Sequence, residues 1–116
     1  MKIEKREVKK RGKKRKAKKE IERGGFMKTV RKHFYFSGRV QGVGFRYQAT
    51  RIARGLGLYG WVQNLWDGHV EMEVQGSELM VWELVRRLRQ EPYIQIEDVE
   101  SEDIPLKDEK GFYMAN

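Results

Sequence analysis

The stretch RKHFYFSGRVQGVGFRYQATRIARGL, residues Arg31 to Leu56, changes its hydrophobic period part-way along, and that change decides the fold. Over Arg31–Arg39 the extended chain puts Phe34 and Phe36 on one face and Tyr35 on the other, which predicts a first strand. Gly38–Gly44 is rich in glycine and predicts a tight turn. Beyond it Phe45, Ala49, Ile52, Ala53 and Leu56 recur at three- and four-residue spacing, one apolar stripe of a helix. Gly55 and Gly57 then predict its end.

Outward from that unit the alternation returns. Tyr59–Asn64 predicts a second strand, Leu65-Trp66-Asp67-Gly68 a hairpin turn, and His69–Gln75 a third strand. In the third, Val70, Met72 and Val74 point inward, and Glu71 and Glu73 are expected to be solvated on the outer face. Ser77 is placed to cap a second helix whose stripe is read as Leu79, Trp82, Val85 and Leu88, closed by Glu91-Pro92. Ile94–Pro105 predicts a fourth strand and Gly111–Ala115 a short terminal one. The order β-α-β-β-α-β, plus that short strand, implies an α+β two-layer sandwich of the ferredoxin-like type. Its sheet is mostly antiparallel, with two helices on one face.

Charge divides the chain in two. Of 25 basic and 17 acidic residues, residues 1–26 hold nine Lys and four Arg against four Glu, a net of +9. Residues 27–116 therefore carry 12 basic and 13 acidic groups, and the overall +8 belongs to the extension. Residues 1–26 are expected to be a basic, disordered extension and residues 27–116 the folded domain, with Met27 an alternative start of translation. Such an extension suits either an electrostatic arm for a polyanion or an incidental solvated tail. The absence of cysteine excludes disulfides and thiol chemistry. No apolar run nears the roughly 18 residues of a membrane-spanning helix, and no apolar segment follows the basic N-terminus as in a signal peptide. The expectation is a cytoplasmic protein without a membrane partner.

Two stretches carry chemistry. Gly38-Arg39-Val40-Gln41-Gly42-Val43-Gly44-Phe45-Arg46 joins a strand to a helix, where a glycine-rich backbone turns consecutive amides into one concavity. The helix start adds unpaired N–H groups and a partial positive charge, so the place suits a tetrahedral anion. Arg46 could clamp that anion bidentately, or the stretch could be a structural turn with a solvent-facing arginine. The second stretch, Gly60-Trp61-Val62-Gln63-Asn64-Leu65-Trp66-Asp67-Gly68-His69-Val70-Glu71, ends a strand on Asn64. Its carboxamide could hold a water beside an electrophile or could cap the turn through its own backbone.

Together the two stretches resemble the acylphosphatase family, whose signatures look like G-R-V-Q-G-V-x-F-R and G-W-V-x-N-x-x-D-G-x-V-E. Both match at every defined position, and the resemblance spans residues 28–115. It implies the ferredoxin-like sandwich already read from the element order. It implies that Arg46 binds phosphate, that Asn64 orients the attacking water, and that the backbone amides of Gln41, Gly42, Val43, Gly44 and Phe45 cradle the phosphate. The reaction implied is metal-free, cofactor-free hydrolysis of an acyl phosphate to carboxylate and inorganic phosphate by direct water attack, performed by a monomer. Inorganic phosphate or sulfate would compete for the site. The C-terminal Met114-Ala115-Asn116 departs from the family's usual aromatic ending, and looser packing of the last strand is expected.

Other residues carry less. His33 and His69 lack a third ligand at metal spacing, and Trp61, Trp66 and Trp82 read as packing residues. An alternative reading is an RNA-binding module with Phe34, Tyr35 and Phe36 on its sheet and a basic arm. Against it, the third strand carries Glu71 and Glu73 where such modules present aromatics. A further alternative is a non-catalytic domain binding acyl or carbamoyl phosphate, as begins the hydrogenase-maturation carbamoyltransferases. Both Arg46 and Asn64 are present, which favours the enzyme.

Overall fold

The computed structural model describes residues 28–116. The expected extension, residues 1–26, and the alternative start at Met27 lie outside the described residues. Seven elements follow in order: β1 Thr29–Arg39, α1 Phe45–Gly55, β2 Tyr59–Asn64, β3 Val70–Ser77, α2 Glu78–Arg89, β4 Gln95–Ile104 and β5 Phe112–Met114. The strands form one sheet in the order β4-β1-β3-β2-β5. All pairings are antiparallel except that of β2 with β5, which runs parallel. Two helices pack on this mixed five-stranded sheet, the ferredoxin-like α+β arrangement expected.

The period-two alternation of β1 places Phe34 and Phe36 under the helices, fully buried and stacked at 5.6 Å, with Phe45 of α1 5.0 Å from Phe36. Val70, Met72 and Val74 of β3 point the same way and are also buried. Helix α1 buries Phe45, Ala49, Ile52 and Ala53 as its stripe requires. Its C-terminus closes with the Gly57 amide donating to the Arg54 carbonyl and the Leu58 amide to the Ala53 carbonyl. Only Gly57 of the two expected terminators takes the left-handed conformation, and Gly55 stays inside the last turn.

Helix α2 corrects one expectation. Ser77 caps it, its hydroxyl accepting from the Met80 amide at 3.3 Å, but the buried stripe is Val81, Leu84, Val85 and Leu88. Leu79 is 53% exposed, and Trp82 stands at the edge of the core, edge-on to Phe34 at 5.5 Å. The run Leu79-Met80-Val81-Trp82 is apolar on every side, so spacing alone left the phase of the helix open.

A second correction concerns Glu71 and Glu73, which are not merely solvated. The outer face of β1 sets Arg31 and His33 diagonally against them. Arg31, 1% exposed, donates from Nε and Nη2 to Glu73 Oε1 at 3.0 and 2.8 Å, from Nη1 to Gln75 and from Nη2 to Glu109. His33 Nε2 lies 2.7 Å from Glu71 Oε2, and Gln63 donates to the other Glu71 oxygen. Burial on its own would raise the Glu73 carboxyl, but hydrogen bonds from Arg31 and Lys107 outweigh it and hold the group below its ordinary value.

Close backbone approach also shapes the sheet. Gly60 in β2 has φ of 138°, and a Cβ there would stand 1.9 Å from the Glu73 carbonyl oxygen. Only glycine lets β2 lie against β3 at this point.

Candidate active site

The turn between β1 and α1 ends on Gly44, whose φ of 82° and ψ of 17° lie in the left-handed region that glycine enters without a side-chain clash. From there the chain enters the helix directly, with no side-chain cap, and the first helical bond runs from the Gln48 amide to the Gly44 carbonyl at 3.0 Å. The helix itself therefore provides no carbonyl for the amides of its first turn, and its positive end is not neutralised by any acidic residue there.

A recess of about 160 Å³ opens at this helix start, lined by Val40, Gly42, Gly44, Phe45, Arg46, Tyr47, Asn64 and Met114. Arg46 and Asn64, 18 residues apart in sequence, thus face one space. Gly42, Gly44 and Phe45 of the expected cradle line it as well. Gln41 and Val43 do not: Val43 packs against the core, and the Gln41 side chain turns to the β2–β3 hairpin. There Gln41 Nε2 donates to the Leu65 carbonyl at 2.7 Å and the His69 carbonyl at 2.8 Å. This latch holds the glycine-rich turn against the strand end that carries Asn64.

Asn64 Oδ1 is buried with no hydrogen-bond partner. A buried acceptor left unsatisfied costs about 1–3 kcal/mol, and Asn64 lines the recess, so a small rotation of its carboxamide would let a donor from outside the protein satisfy it.

The sequence reading missed Asn116. Its main-chain oxygen and its Oδ1 both accept from Arg46 Nη1, the latter at 2.9 Å. Its Oδ1 also accepts from the Asn64 amide at 3.3 Å, and its Nδ2 donates to the Asn64 carbonyl at 2.9 Å. One residue therefore joins the backbone of the asparagine to the guanidinium of the arginine. Parallel pairing of β5 with β2 brings it there, helped by a bond from the Ala115 amide to the Val62 carbonyl at 2.9 Å. Phe112 is buried, and Arg54 of α1 donates to its carbonyl at 3.0 Å, so the last strand is anchored rather than loose. No sequence signal pointed to Asn116, because a lone C-terminal asparagine belongs to no motif.

Residues 32–114 match the acylphosphatase family model. The chain belongs to the acylphosphatase family. It is 48% identical over 81 residues to an acylphosphatase of Bifidobacterium longum (strain NCC 2705), covering 69% of this chain and 84% of that protein. Among solved structures it resembles the Bacillus subtilis acylphosphatase, with a TM-score of 0.71 and 30% identity over 75% of this chain and 99% of that one. It also resembles part of HypF from T. kodakarensis, with a TM-score of 0.66 and 32% identity, covering 73% of this chain but 12% of that chain. Among the described residues no group of three His, Cys, Asp or Glu is placed to hold a metal ion, and no helix is long and apolar enough to cross a membrane.

Proposed function

We propose that this chain hydrolyses acyl phosphates to carboxylate and inorganic phosphate by direct attack of water on phosphorus. Membership of the family supports the reaction. The observation that carries the mechanism is the shared recess, lined by Arg46, by glycines of the turn and by Asn64, whose Oδ1 is unsatisfied. The phosphoryl group lies against the part of the turn that Gly42, Gly44 and Phe45 bring to the recess, where the backbone amides and the helix start favour negative charge. Asn116 holds Arg46 by Nη1, so the Nε–Nη2 edge of the guanidinium is presented for a bidentate contact with two phosphoryl oxygens. Asn64 Oδ1 accepts a hydrogen bond from the attacking water and aims a lone pair of that water at phosphorus.

A carboxylate leaves readily without protonation, so catalysis reduces to positioning and charge stabilisation. The proton of the attacking water passes to a phosphoryl oxygen of the substrate, and no side chain is needed as general base. Inorganic phosphate and sulfate compete for the same nest, and a single chain suffices for the site, which fits a monomer in the cytoplasm. The experiment is hydrolysis of acetyl phosphate and benzoyl phosphate in ¹⁸O-labelled water with a metal chelator present. Turnover with the label in phosphate supports the reading. Label in the carboxylate, or loss of activity on chelation, refutes it.

A further inference from the structure

The recess has two chemical halves. Gly42, Gly44 and Arg46 serve the anion, whereas Val40, Phe45, Tyr47 and Met114 bring apolar surface. Val40 and Phe45 are buried, so the apolar surface that a ligand can cover belongs chiefly to Tyr47, 62% exposed, and Met114. Among the described residues Arg46 is the one charged side chain on the wall, so a second charge on the acyl group would find no opposite partner among them.

In-line displacement chooses between the two apolar side chains. With water held at Asn64, the leaving carboxylate departs from the opposite side of phosphorus. Asn64 and Met114 both stand on the sheet layer: Asn64 ends β2, and Met114 pairs with Val62 two residues before it. Tyr47 stands on the helix layer, in the first turn of α1 directly after Arg46. A ring there is large, rigid and open to solvent, so an apolar group laid on it would take both surfaces out of water.

On the reading that this recess hydrolyses acyl phosphates, we propose that Tyr47 is the surface on which the acyl group rests. The enzyme then prefers uncharged aromatic and bulky apolar acyl phosphates to small ones. Trp66 provides the control: it is 99% exposed on the neighbouring hairpin yet does not line the recess.

The test is steady-state kinetics of the full chain on benzoyl phosphate and acetyl phosphate. Tyr47→Ser lowers kcat/KM for benzoyl phosphate about 3- to 10-fold, the range of one lost aromatic contact, through KM and not kcat. It lowers kcat/KM for acetyl phosphate less, so the ratio of the two substrates falls. Tyr47→Phe and Trp66→Ser keep the wild-type ratio of the two substrates. An unchanged ratio in Tyr47→Ser, an equal loss on both substrates, or a shift of the ratio in Trp66→Ser overturns the assignment while the hydrolytic function stands. A wild-type chain that cleaves neither substrate ends both.

Discussion

At the residue scale the proposed function gives Arg46 and Asn64 separable parts, and their contacts say how to part them. Among the described residues Arg46 supplies the only charged side chain on the recess wall, so Arg46→Ala is expected to abolish phosphate binding and turnover together. On that proposal Asn64→Ala removes the acceptor for water but leaves the anion-binding turn intact. It is expected to spare the inhibition constant for inorganic phosphate and cut kcat by about 10²-fold, the scale of a lost positioning group. Equal loss of phosphate affinity in both variants would refute the division. Asn116 acts through its neighbours. Asn116→Ala releases Arg46 Nη1 from the side-chain oxygen and the Asn64 backbone from its bridge. The expected result is a drop in kcat/KM on the order of 10-fold, the worth of about one hydrogen bond, with the melting temperature nearly unchanged because the contacts are exposed.

At the scale of the element, α2 shows what a pattern leaves undetermined. The stripe read from spacing and the stripe actually buried share Val85 and Leu88, but the first turns differ. Leu84 is fully buried and Leu79 faces water. Leu84→Ala should therefore destabilise the fold by about 2–5 kcal/mol, and Leu79→Ala by less than about 0.5 kcal/mol, in denaturant melts. Had the spacing-derived phase been right, the Leu79 substitution would be the costly one. The cap, in contrast, was legible: Ser77 accepts from the amide three residues on, and Ser77→Ala should cost about 1 kcal/mol. Local hydrogen bonding fixes where a helix begins, whereas its rotation about its own axis answers to the sheet beneath it.

On the scale of the whole molecule, the face of the sheet away from the helices is organised by charge. Arg31 meets Glu73 and Glu109, Lys107 meets Glu73, and His33 meets Glu71, so what looked like two solvated carboxylates is part of a network. The Glu73 carboxyl is held below its ordinary value of 4.5, so the folded state binds its proton less readily than the unfolded chain. Its contribution to stability is complete above that value and disappears as pH falls through the lower folded value. Glu73→Gln should lower the melting temperature at pH 7, and the gap from wild type should narrow as the pH is taken below 4.5. A gap that stayed constant down to pH 2 would show that the loss was one of packing and not of charge.

How much of this was written in the chain order can be judged from particular residues. The alternation of Phe34 with Tyr35, the three-four spacing of Ala49, Ile52 and Ala53, and the glycines around Arg46 each concern neighbours a few positions apart, and all three were legible because backbone geometry repeats over that distance. Contacts between residues far apart in sequence were not. Arg31 finds Glu73 across 42 positions and Arg46 finds Asn116 across 70. The family motifs marked Arg46 and Asn64 as partners, but their joining through Asn116 waited on β5 adding parallel to β2, and the rotation of α2 waited on the packing of Phe34 against Trp82. The sequence by itself determined the elements and the two motifs, because both follow from local geometry. Tertiary structure decided which faces meet, because that depends on side chains brought together only after the chain has closed on itself.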